Sequence, residues 1–520
     1  MNMMDGKNTS ASHSEVGGVF VPLSTPVTSA HARALAQDAR APSGANIKLP
    51  IPPRRPVSTW YNCTRRHSQR PARRVCYFLT LLLLSLAANV YSLPKHTYNH
   101  IYSSLNHIEP QKLHDTLQFL NSMVAWVGGL AARAGAVFLM SSRPDTQHAN
   151  LTTYTINSMA AIDALQSTWY NVQSGIWDRK WWNSANIFTT LADFASIDVV
   201  AANALNIGGI MRNTFEQAQK EAITSLKLID DTGLVTSSYT ISMVGMEDAA
   251  TEVATKLIAR QFPGFINEFY DDEGWWALAL IRAFDVTRDQ GYLDMAANIF
   301  DDMKTGGNTN CNGGIYWNKE RKYVNAISNE LYLSVAASLA NRMPNRQAYL
   351  DIAAAQWVWF KASGMINERG TINDGLDGSC RNNGQNTWSY NQGVILGGLV
   401  ELNKATGDAN LLSDAAIIAK AAIKELSDDK GILHDTCEPN CGADGEQFKG
   451  IFVRNLHYLH KAAPDAAYRK FILNNADSNW AQNRDEANKM GVNWAGPIQR
   501  VSGGTHSSAL DTLVGAMAVV

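Results

Sequence analysis

The sequence predicts an all-α protein built as an (α/α)6 barrel, and three observations support this fold class. Apolar residues recur at intervals of three and four from about residue 153, as in Met159, Ile162, Leu165 and Trp169, which is the period of an amphipathic helix. A loose repeat occurs six times along the chain. The two ends of this repeat also complement each other, which favours a closed ring.

Each unit of the repeat opens with a glycine and an apolar residue, continues through a polar, aromatic-rich loop and then enters a helix of small and apolar residues. The openings are at Gly175, Gly264, Gly314, Gly364, Gly431 and Gly491, separated by 89, 50, 50, 67 and 60 residues. Internal repeats of this length indicate stacked helical hairpins. We therefore expect six inner and six outer helices, with the loops after the glycines gathered at one end of the barrel.

The ends of the repeat predict closure into a ring. The last unit has an inner-type helix from Ser508 to Val519 but no room for an outer partner. A helix from Thr153 to Tyr170, ahead of the first unit, has no partner of its own. Paired with each other, these two helices complete the barrel. Residues 151–520 are thus predicted to form one (α/α)6 domain.

The first 150 residues differ in composition from this domain. Residues 1–74 carry 11 Lys and Arg against 3 Asp and Glu and hold 8 of the 16 prolines, which predicts a disordered basic extension. Residues 75–92 contain an apolar run behind a basic flank, which is typical of a secretory signal. A second candidate signal begins at Met123, and residues 93–150 read as a linker. We expect a secreted or extracellular protein, the alternative being a type II membrane anchor through residues 75–93.

The cysteines are consistent with export. Two lie in the N-terminal region and four in the predicted barrel: Cys63, Cys76, Cys311, Cys380, Cys437 and Cys441. An even number in an exported domain predicts two disulfides, and three pairings of the four barrel cysteines are open. The alternative is a four-cysteine zinc site, which would need a second close pair beside the last two. A glycosylation acceptor begins at Asn150.

The loops at the predicted site end combine aromatic side chains with amides and carboxylates. They include Trp177, Trp181, Trp182, Asn183, Tyr316, Trp317, Asn325, Asn329, Trp388 and Tyr390. Aromatic faces stack on the apolar face of a sugar, while amides and carboxylates bind its hydroxyls. Any single aromatic could instead pack in the core, but the group as a whole favours carbohydrate. A net charge of −2 and the lack of a phosphate-binding Gly-x-x-x-x-Gly-Lys speak against nucleic acids and nucleotides.

Two adjacent carboxylates, Asp271 and Asp272, stand just before a helix predicted from about Glu273 to Phe284. Acids at a helix start are ordinarily caps, but this pair lies between aromatic residues in a predicted site loop. Two acids in a small space have their pKa values driven apart, as cleavage of a glycosidic bond requires. Adjacent side chains more easily reach the carboxyl separation of a retaining enzyme, about 5 to 5.5 Å, than the 6.5 to 9.5 Å of an inverting one.

Several ordered motifs surround this pair. They are residues 175–194, FYDDEGWWALALIRAFDVTRD at 269–289, NGGIYW at 312–317, residues 325–340, TWSYNQGVILGGLVEL at 387–402 and QFKGIFVRNL at 447–456. In these stretches the sequence resembles glycoside hydrolase family 76, the endo-α-1,6-mannanases, especially its fungal members. The resemblance runs from about residue 153 to the end and implies an (α/α)6 barrel and a retaining double displacement on α-1,6-linked mannan. It further implies Asp271 as nucleophile, Asp272 as acid/base, and no metal or organic cofactor.

The remaining polar and aromatic loop residues are then expected to line sugar subsites. These candidates are Trp182, Asn183, Trp276, Asn325, Asn329, Asp374, Trp388, Tyr390, Asn391 and Gln447. The expected partner is α-1,6-mannan or its oligosaccharides, bound by a monomer. Two alternatives stay open: a cell-wall mannosyl transglycosidase of the same family and a non-catalytic mannan-binding protein. The final residues, SALDTLVGAMAVV, lack the apolar tail that precedes a lipid anchor, so we expect a soluble hydrolase.

Overall fold

The structure of the protein, a computed structural model, describes residues 146–230, 233–243 and 264–520. The predicted extension, signal, anchor and most of the linker lie outside these residues, as do Cys63 and Cys76. The helices are α1 (Thr146–Trp169), α2 (Trp181–Ile197), α3 (Val199–Ala204), α4 (Ile207–Ala218), α5 (Tyr270–Thr287), α6 (Gln290–Met303), α7 (Ala326–Ala340), α8 (Arg346–Ala362), α9 (Ser389–Thr406), α10 (Ala409–Glu425), α11 (Gly442–Gly445), α12 (Phe448–Ala462), α13 (Ala466–Gln482) and α14 (Gly503–Val519). The strands are β1 (Tyr170–Asn171), β2 (Ile176–Trp177), β3 (Glu221–Ile229) and β4 (Val235–Met243).

Six inner helices, α2, α5, α7, α9, α12 and α14, form a closed ring. Each packs against the next, and α14 packs against α2. Inner helices such as α2, α7 and α9 are buried over most of their length, and their sequences are correspondingly rich in small and apolar residues. In α7, 14 of the 15 residues are buried. The ring is the centre of the predicted (α/α)6 barrel.

Glycines let neighbouring inner helices approach closely. A β-carbon added at Gly393 of α9 would lie 2.6 Å from the α-carbon of Phe452 in α12. One added at Gly450 of α12 would lie 2.6 Å from the α-carbon of Ser508 in α14. Because packed interiors tolerate little added volume, these positions accept no side chain without separating the helices.

The outer layer consists of α1, α4, α6, α8, α10 and α13, and its first member closes the barrel. Helix α1 packs against α14, the last inner helix, which confirms the predicted pairing of the two ends. Both helices begin earlier than expected, at Thr146 and Gly503 rather than Thr153 and Ser508. Ser502 accepts a hydrogen bond from the Thr505 amide and so caps the start of α14.

Three units enter the site end through the same turn. In each, one bridge closes a tight loop, between Ile366 and Ile372, Ser427 and Leu433, and Arg484 and Met490. The residue at positive φ in these loops is Gly370, Gly431 or Asn488, and asparagine is one of the few residues that replaces glycine in this conformation. The fourth and sixth openings therefore correspond to Gly370 and Asn488. The predicted positions Gly364 and Gly491 are wrong, because a search for glycine followed by an apolar residue overlooks the asparagine.

An antiparallel hairpin of two nine-residue strands, β3 and β4, was not predicted. It lies in the long interval between the first two openings, and Ser225 pairs with Tyr239 in its register. Its alternation is inverted: Leu226 and Leu228 are 59% and 61% exposed, whereas the side chain of Lys227 between them is 3% exposed. Sequence analysis searches for strands by their buried apolar face, and this strand turns a polar face inwards.

The four barrel cysteines form the two predicted disulfides, Cys311–Cys380 and Cys437–Cys441. The structure thereby selects one of the three open pairings and excludes these cysteines as zinc ligands. Among the described helices, none has both the length and the apolar composition required to cross a bilayer.

Candidate active site

A small cavity lies where the inner helices begin. It is lined by Trp182, Lys227, Ile229, Val235, Asp271, Trp275, Trp317, Tyr323, Asn325, Asp374, Tyr390, Asp444 and Phe448. These residues come from the first turns of α2, α5, α9 and α12, from the loops before α7 and α9, from α11 and from the hairpin. Since first turns of four inner helices share one cavity, these helices start at the same end of the barrel, as the repeat predicted.

Asp271 and Asp272 lie in the first turn of α5 rather than just before it, because the helix begins at Tyr270. The Tyr270 amide donates to the Trp317 carbonyl at 3.0 Å, which ties the start of the helix to the neighbouring loop. Asp271 is 7% exposed at the cavity wall, while Asp272 is fully buried beneath it. A helix N-terminus stabilises negative charge, so this position suits a pair of acids.

Three donors contact the carboxylate of Asp271. The indole Nε1 of Trp317 donates to its Oδ2 at 3.0 Å. The ammonium of Lys227 lies 3.0 Å from both of its oxygens. The amide of Asp272 donates to Oδ1 at 3.0 Å. The side chain is therefore held at the cavity wall by hydrogen bonds to both of its oxygens.

Asp272 has different surroundings. Asn267 donates to its Oδ2 at 2.7 Å, and Lys227 donates to its Oδ1 at 2.6 Å. Burial raises the pKa of Asp272 to about 7, with a further raising effect of the Asp271 charge and an opposing, lowering effect of Lys227. A substantial fraction of this carboxyl is therefore protonated at neutral pH, as a general acid must be.

The two carboxyl groups are close. Lys227 Nζ lies 3.0 Å from Asp271 Oδ2 and 2.6 Å from Asp272 Oδ1. These two oxygens are thus no more than 5.6 Å apart, the sum of the two distances. Carboxyl groups about 5 to 5.5 Å apart are typical of retaining glycosidases, and inverting enzymes need about 6.5 to 9.5 Å.

Lys227 joins the two aspartates from the hairpin above. Its ammonium also lies 4.6 Å from the ring centroid of Phe269, a favourable cation–π distance. Burial opposes its charge, but Asp271 and Asp272 outweigh that effect and raise the pKa of Lys227. The lysine is therefore charged, and it was absent from the predicted site.

Two further acids belong to the cavity. Asp374 accepts a hydrogen bond of 2.5 Å from the Tyr323 hydroxyl, and burial raises the pKa of Asp374 to about 6. Asp444 accepts from the indole of Trp182 at 2.7 Å and from the amide of Ser237 in β4 at 2.6 Å. These acids position an aromatic side chain and the hairpin around the central pair.

Five of the predicted residues line the cavity together: Trp182, Asp271, Asn325, Asp374 and Tyr390. Tyr390 stacks on Phe448 with ring centroids 3.8 Å apart. Asn325 is also the N-cap of α7, where it accepts from the Ser328 amide. Aromatic faces and short polar side chains thus surround the space next to Asp271.

The other candidates do not line the cavity: Asn183, Trp276, Asn329, Trp388, Asn391 and Gln447. Asn183 and Gln447 bind each other at 3.0 Å between α2 and the start of α12. Trp276 packs against Trp181 and Phe265 in the core. Near the start of an inner helix only some side chains point into the lumen, because neighbouring residues are rotated by about 100°.

Asn329 contributes indirectly. Its amide group binds both the N–H and the carbonyl of Ile315, at 2.8 and 2.9 Å. This pair of bonds fixes the loop that carries Trp317, the donor to Asp271. Asn329 is therefore a structural support of the site.

Sequence reasoning missed several residues of the site. They are Lys227, Asn267, Trp275, Tyr323, Asp444 and Phe448. Trp317 is among the loop aromatics named above but not among the subsite candidates, and Trp275 stands next to the candidate Trp276. Lys227 had one signal, its place as a central residue of an alternating run that ends in an Asp-Asp-Thr-Gly turn.

A wider cavity of about 950 Å³ opens among the C-terminal halves of the inner helices. Its acids are engaged in ion pairs: Arg342 binds Asp285 and Glu401, each at 2.7 Å. Against the effect of burial, Arg342 lowers the pKa of both acids. They therefore stay ionised at neutral pH and cannot supply the proton that the pair on α5 can supply.

Comparisons with known proteins identify the family of this chain. The model of glycosyl hydrolase family 76 matches residues 246–519, more than half of the chain. The mannan endo-1,6-alpha-mannosidase DFG5 of Candida albicans is 28% identical over 275 residues, which are 48% of this chain and 60% of that protein. The chain spans about half the length of the curated relatives it matches.

Solved structures share the barrel. The GH76A alpha-1,6-mannanase from Salegentibacter sp. HEL1_6 has a TM-score of 0.56 at 21% identity and covers 71% of this chain and 100% of its own. Dfg5 from Chaetomium thermophilum, solved in complex with glucosamine, has a TM-score of 0.55 at 16% identity and covers 73% and 92%. At these identities the likeness shows the fold. By its match to the family model, the chain belongs to glycosyl hydrolase family 76.

Proposed function

We propose that the protein is an endo-acting, retaining glycoside hydrolase that cleaves α-1,6-mannosidic linkages in mannan. The observation that carries the proposal is the pair Asp271 and Asp272, whose nearest Lys227-bound oxygens are no more than 5.6 Å apart. One acid faces the cavity, and the other is buried with a raised pKa. Unequal acids at retaining distance are the machinery of double displacement.

In the first step Asp272 donates its proton to the glycosidic oxygen while Asp271 attacks the anomeric carbon. The bond to the leaving sugar breaks, and a covalent mannosyl–Asp271 ester forms with inverted configuration. In the second step Asp272, now a carboxylate, removes a proton from water, which attacks the same carbon and releases Asp271. Two inversions give net retention. Trp317 and Asn267 keep the two carboxyl groups oriented throughout.

The choice of substrate is supported by the comparisons. The Candida albicans relative is named a mannan endo-1,6-alpha-mannosidase. An inactive variant of the Salegentibacter enzyme, with two neighbouring aspartates replaced by asparagine, was solved in complex with alpha-1,6-mannotriose. Trp182, Trp275 and Tyr390 offer this chain the aromatic faces on which a mannosyl residue stacks.

We also propose that the protein works outside the cell. Its two barrel disulfides, Cys311–Cys380 and Cys437–Cys441, are typical of proteins that fold in an oxidising compartment. Polymeric mannan as substrate agrees with this location, because an endo-acting enzyme meets its polymer where the polymer is deposited.

The test is incubation of the full chain with linear α-1,6-mannan, comparing wild type with Asp271→Asn and Asp272→Asn. Asp301→Asn is the matched control, since Asp301 belongs to another adjacent aspartate pair but is 63% exposed on α6. We expect short oligosaccharides from wild type and control, and a loss of at least about 100-fold in both site variants. Equal activity in all four proteins would contradict the proposal.

Product analysis separates the alternatives. Nuclear magnetic resonance of the first product should show the α anomer, and a β anomer would exclude retention. Transfer of mannosyl units to an added labelled α-1,6-mannobiose in preference to water would identify a transglycosidase. Binding of mannan without any product in wild type would identify a non-catalytic binding protein.

A further inference from the structure

The hairpin of β3 and β4 roofs the cavity above the two aspartates. On the β3 side Asn267 donates to Ser225 Oγ at 3.0 Å. On the β4 side the Ser237 amide donates to Asp444 at 2.6 Å. The hairpin is therefore anchored beside the start of α5 and again at α11, and it crosses the mouth between them.

The space left beneath this roof is too small for a sugar. The cavity volume is about 20 Å³, enough for about one water molecule. Sites that bind small molecules have volumes of about 300 to 1,000 Å³. A mannosyl residue can reach Asp271 only after the hairpin has moved away.

Lys227 fills the position between the two carboxylates. Its ammonium lies 3.0 Å from both oxygens of Asp271 and 2.6 Å from Asp272, and its side chain is 3% exposed. In glycosidic cleavage the positive charge of the oxocarbenium-like transition state develops between the same two groups. The lysine thus places a fixed cation where the reacting sugar would carry its charge, and it blocks the acid that must donate a proton.

Most side chains that β3, the strand of Lys227, turns towards the site are polar. Ser225 and Lys227 face the barrel, whereas Leu226 and Leu228 are 59% and 61% exposed. Two-faced strands ordinarily bury their apolar side. Apart from Ile223, which is 7% exposed, the inward side of this strand is held by hydrogen bonds and one ion-pair cluster. The strand can exchange these bonds for bonds to water or sugar hydroxyls when it leaves the site.

We propose that Lys227 is an internal inhibitor: a hairpin-borne ammonium that competes with the substrate for Asp271 and Asp272. The inference rests on the proposed function, because the competing ligand is the mannan chain. Substrate binds the form with the hairpin lifted, and its apparent affinity is reduced by the fraction of molecules in that form. Chemistry after binding does not involve the lysine. Removing the ammonium should therefore lower KM and leave kcat nearly unchanged.

The first experiment measures both constants on linear α-1,6-mannan for wild type, Lys227→Met and Lys227→Gln. Lys220→Met is the control, since this lysine, in the turn just before β3, is exposed and its ammonium donates to Gln217. Minor states populated at about 0.1 to 10% predict that KM falls roughly tenfold or more in both Lys227 variants. We expect kcat to stay within about twofold and the control to match wild type. A fall in kcat with unchanged KM would overturn the proposal and make Lys227 a positioning residue.

The second experiment needs no substrate. Hydrogen exchange of the full chain is followed in peptides covering residues 221–229 and 235–243, which contain the amides bound to Glu268 and Asp444. We expect exchange roughly threefold or more faster in Lys227→Met than in wild type, with residues 326–340 unchanged. Unchanged exchange in the hairpin would refute the inhibitor, whatever the activity. Faster exchange in the hairpin, without activity on mannan in any variant, would support Lys227 as an internal inhibitor. It would contradict only the proposed function.

Discussion

Asn267, Trp317 and Lys227 give two sequence neighbours unlike surroundings. Trp317 donates to Asp271 at the cavity wall, and Asn267 donates to Asp272 in the interior. Chain geometry makes the two acids close, but the burial of Asp272 raises its pKa. Proximity thus comes from adjacency, and the proposed division into nucleophile and acid comes from the deeper burial of Asp272.

The first prediction concerns pH. Asp272 must be protonated to donate, so kcat/KM on mannan should fall as pH rises through about 7, the pKa of Asp272 in the free enzyme. Lys227 lowers this pKa, so Lys227→Met should move the alkaline limb to higher pH. The measurement is kcat/KM between pH 5 and 9 for both proteins. A limb that moves to lower pH in the variant would contradict Asp272 as the acid.

The second prediction removes one donor. Trp317→Phe keeps an aromatic ring but loses the N–H that binds Asp271 at 3.0 Å. Hydrogen bonds to charged groups contribute about 1.5 to 3 kcal/mol, so kcat/KM should fall by roughly tenfold or more. Trp480→Phe is the control, because Trp480 lies on the outer helix α13 and stacks on Arg484. Equal kcat/KM in both variants would show that the indole does not orient Asp271.

At the scale of elements, buried amides hold the turns that lead to the site end. Asn475 of α13 accepts from the Leu433 amide at 2.9 Å and donates to the Gly431 carbonyl at 3.0 Å. Gln392 of α9 accepts from the Ile372 amide and donates to the carbonyl of the same residue, each at 2.8 Å. A buried side-chain amide recurs at these turns because each turn leaves main-chain groups that the packed helices would otherwise bury without partners.

The third prediction tests this device. Asn475→Leu removes the side-chain partner of the buried Leu433 amide and one of the two donors to the Gly431 carbonyl, and an unsatisfied buried group costs about 1 to 3 kcal/mol. The melting temperature should drop by several degrees, while kcat/KM at the lower temperature stays near that of wild type because Asn475 does not line the cavity. Gln347→Ala, on the exposed side of α8, is the control. An unchanged melting temperature in Asn475→Leu would show that this amide does not stabilise the fold.

At the scale of the whole molecule, closure of the ring depends on α14 and α1. His506 of α14 binds the Ala161 carbonyl of α1 through Nε2 at 2.8 Å, and its Nδ1 accepts from the Met490 amide at 3.0 Å. The imidazole is therefore neutral with its proton on Nε2. Burial lowers the pKa of His506 to about 4.

The fourth prediction follows from this histidine. Its folded-state pKa is below the unfolded value of about 6.5, so the unfolded chain binds more protons between these pH values. Stability contributed by the neutral ring is present above about pH 6.5 and is lost as pH falls towards 4, by up to roughly 3 kcal/mol. Urea unfolding of wild type and His506→Gln is measured at pH 7 and 4.5. The free energy of unfolding should fall less between these pH values in the variant than in wild type. An equal fall in both proteins would contradict a neutral His506 between α14 and α1.

The sequence by itself determined what depends on local order: the helical period, the six-fold repeat, the pairing of the two ends and the adjacent pair Asp271-Asp272. Tertiary structure decided what depends on rotation and on distant contacts. Trp182 and Trp276 both lie within the first two turns of inner helices, yet only Trp182 lines the cavity, because the lumen-facing side is set by packing around the ring. The Cys311–Cys380 disulfide joins residues 69 positions apart, and Lys227 reaches Asp271 from 44 positions away. A periodic pattern specifies which face of a helix is buried, but only the assembled barrel specifies what that face meets.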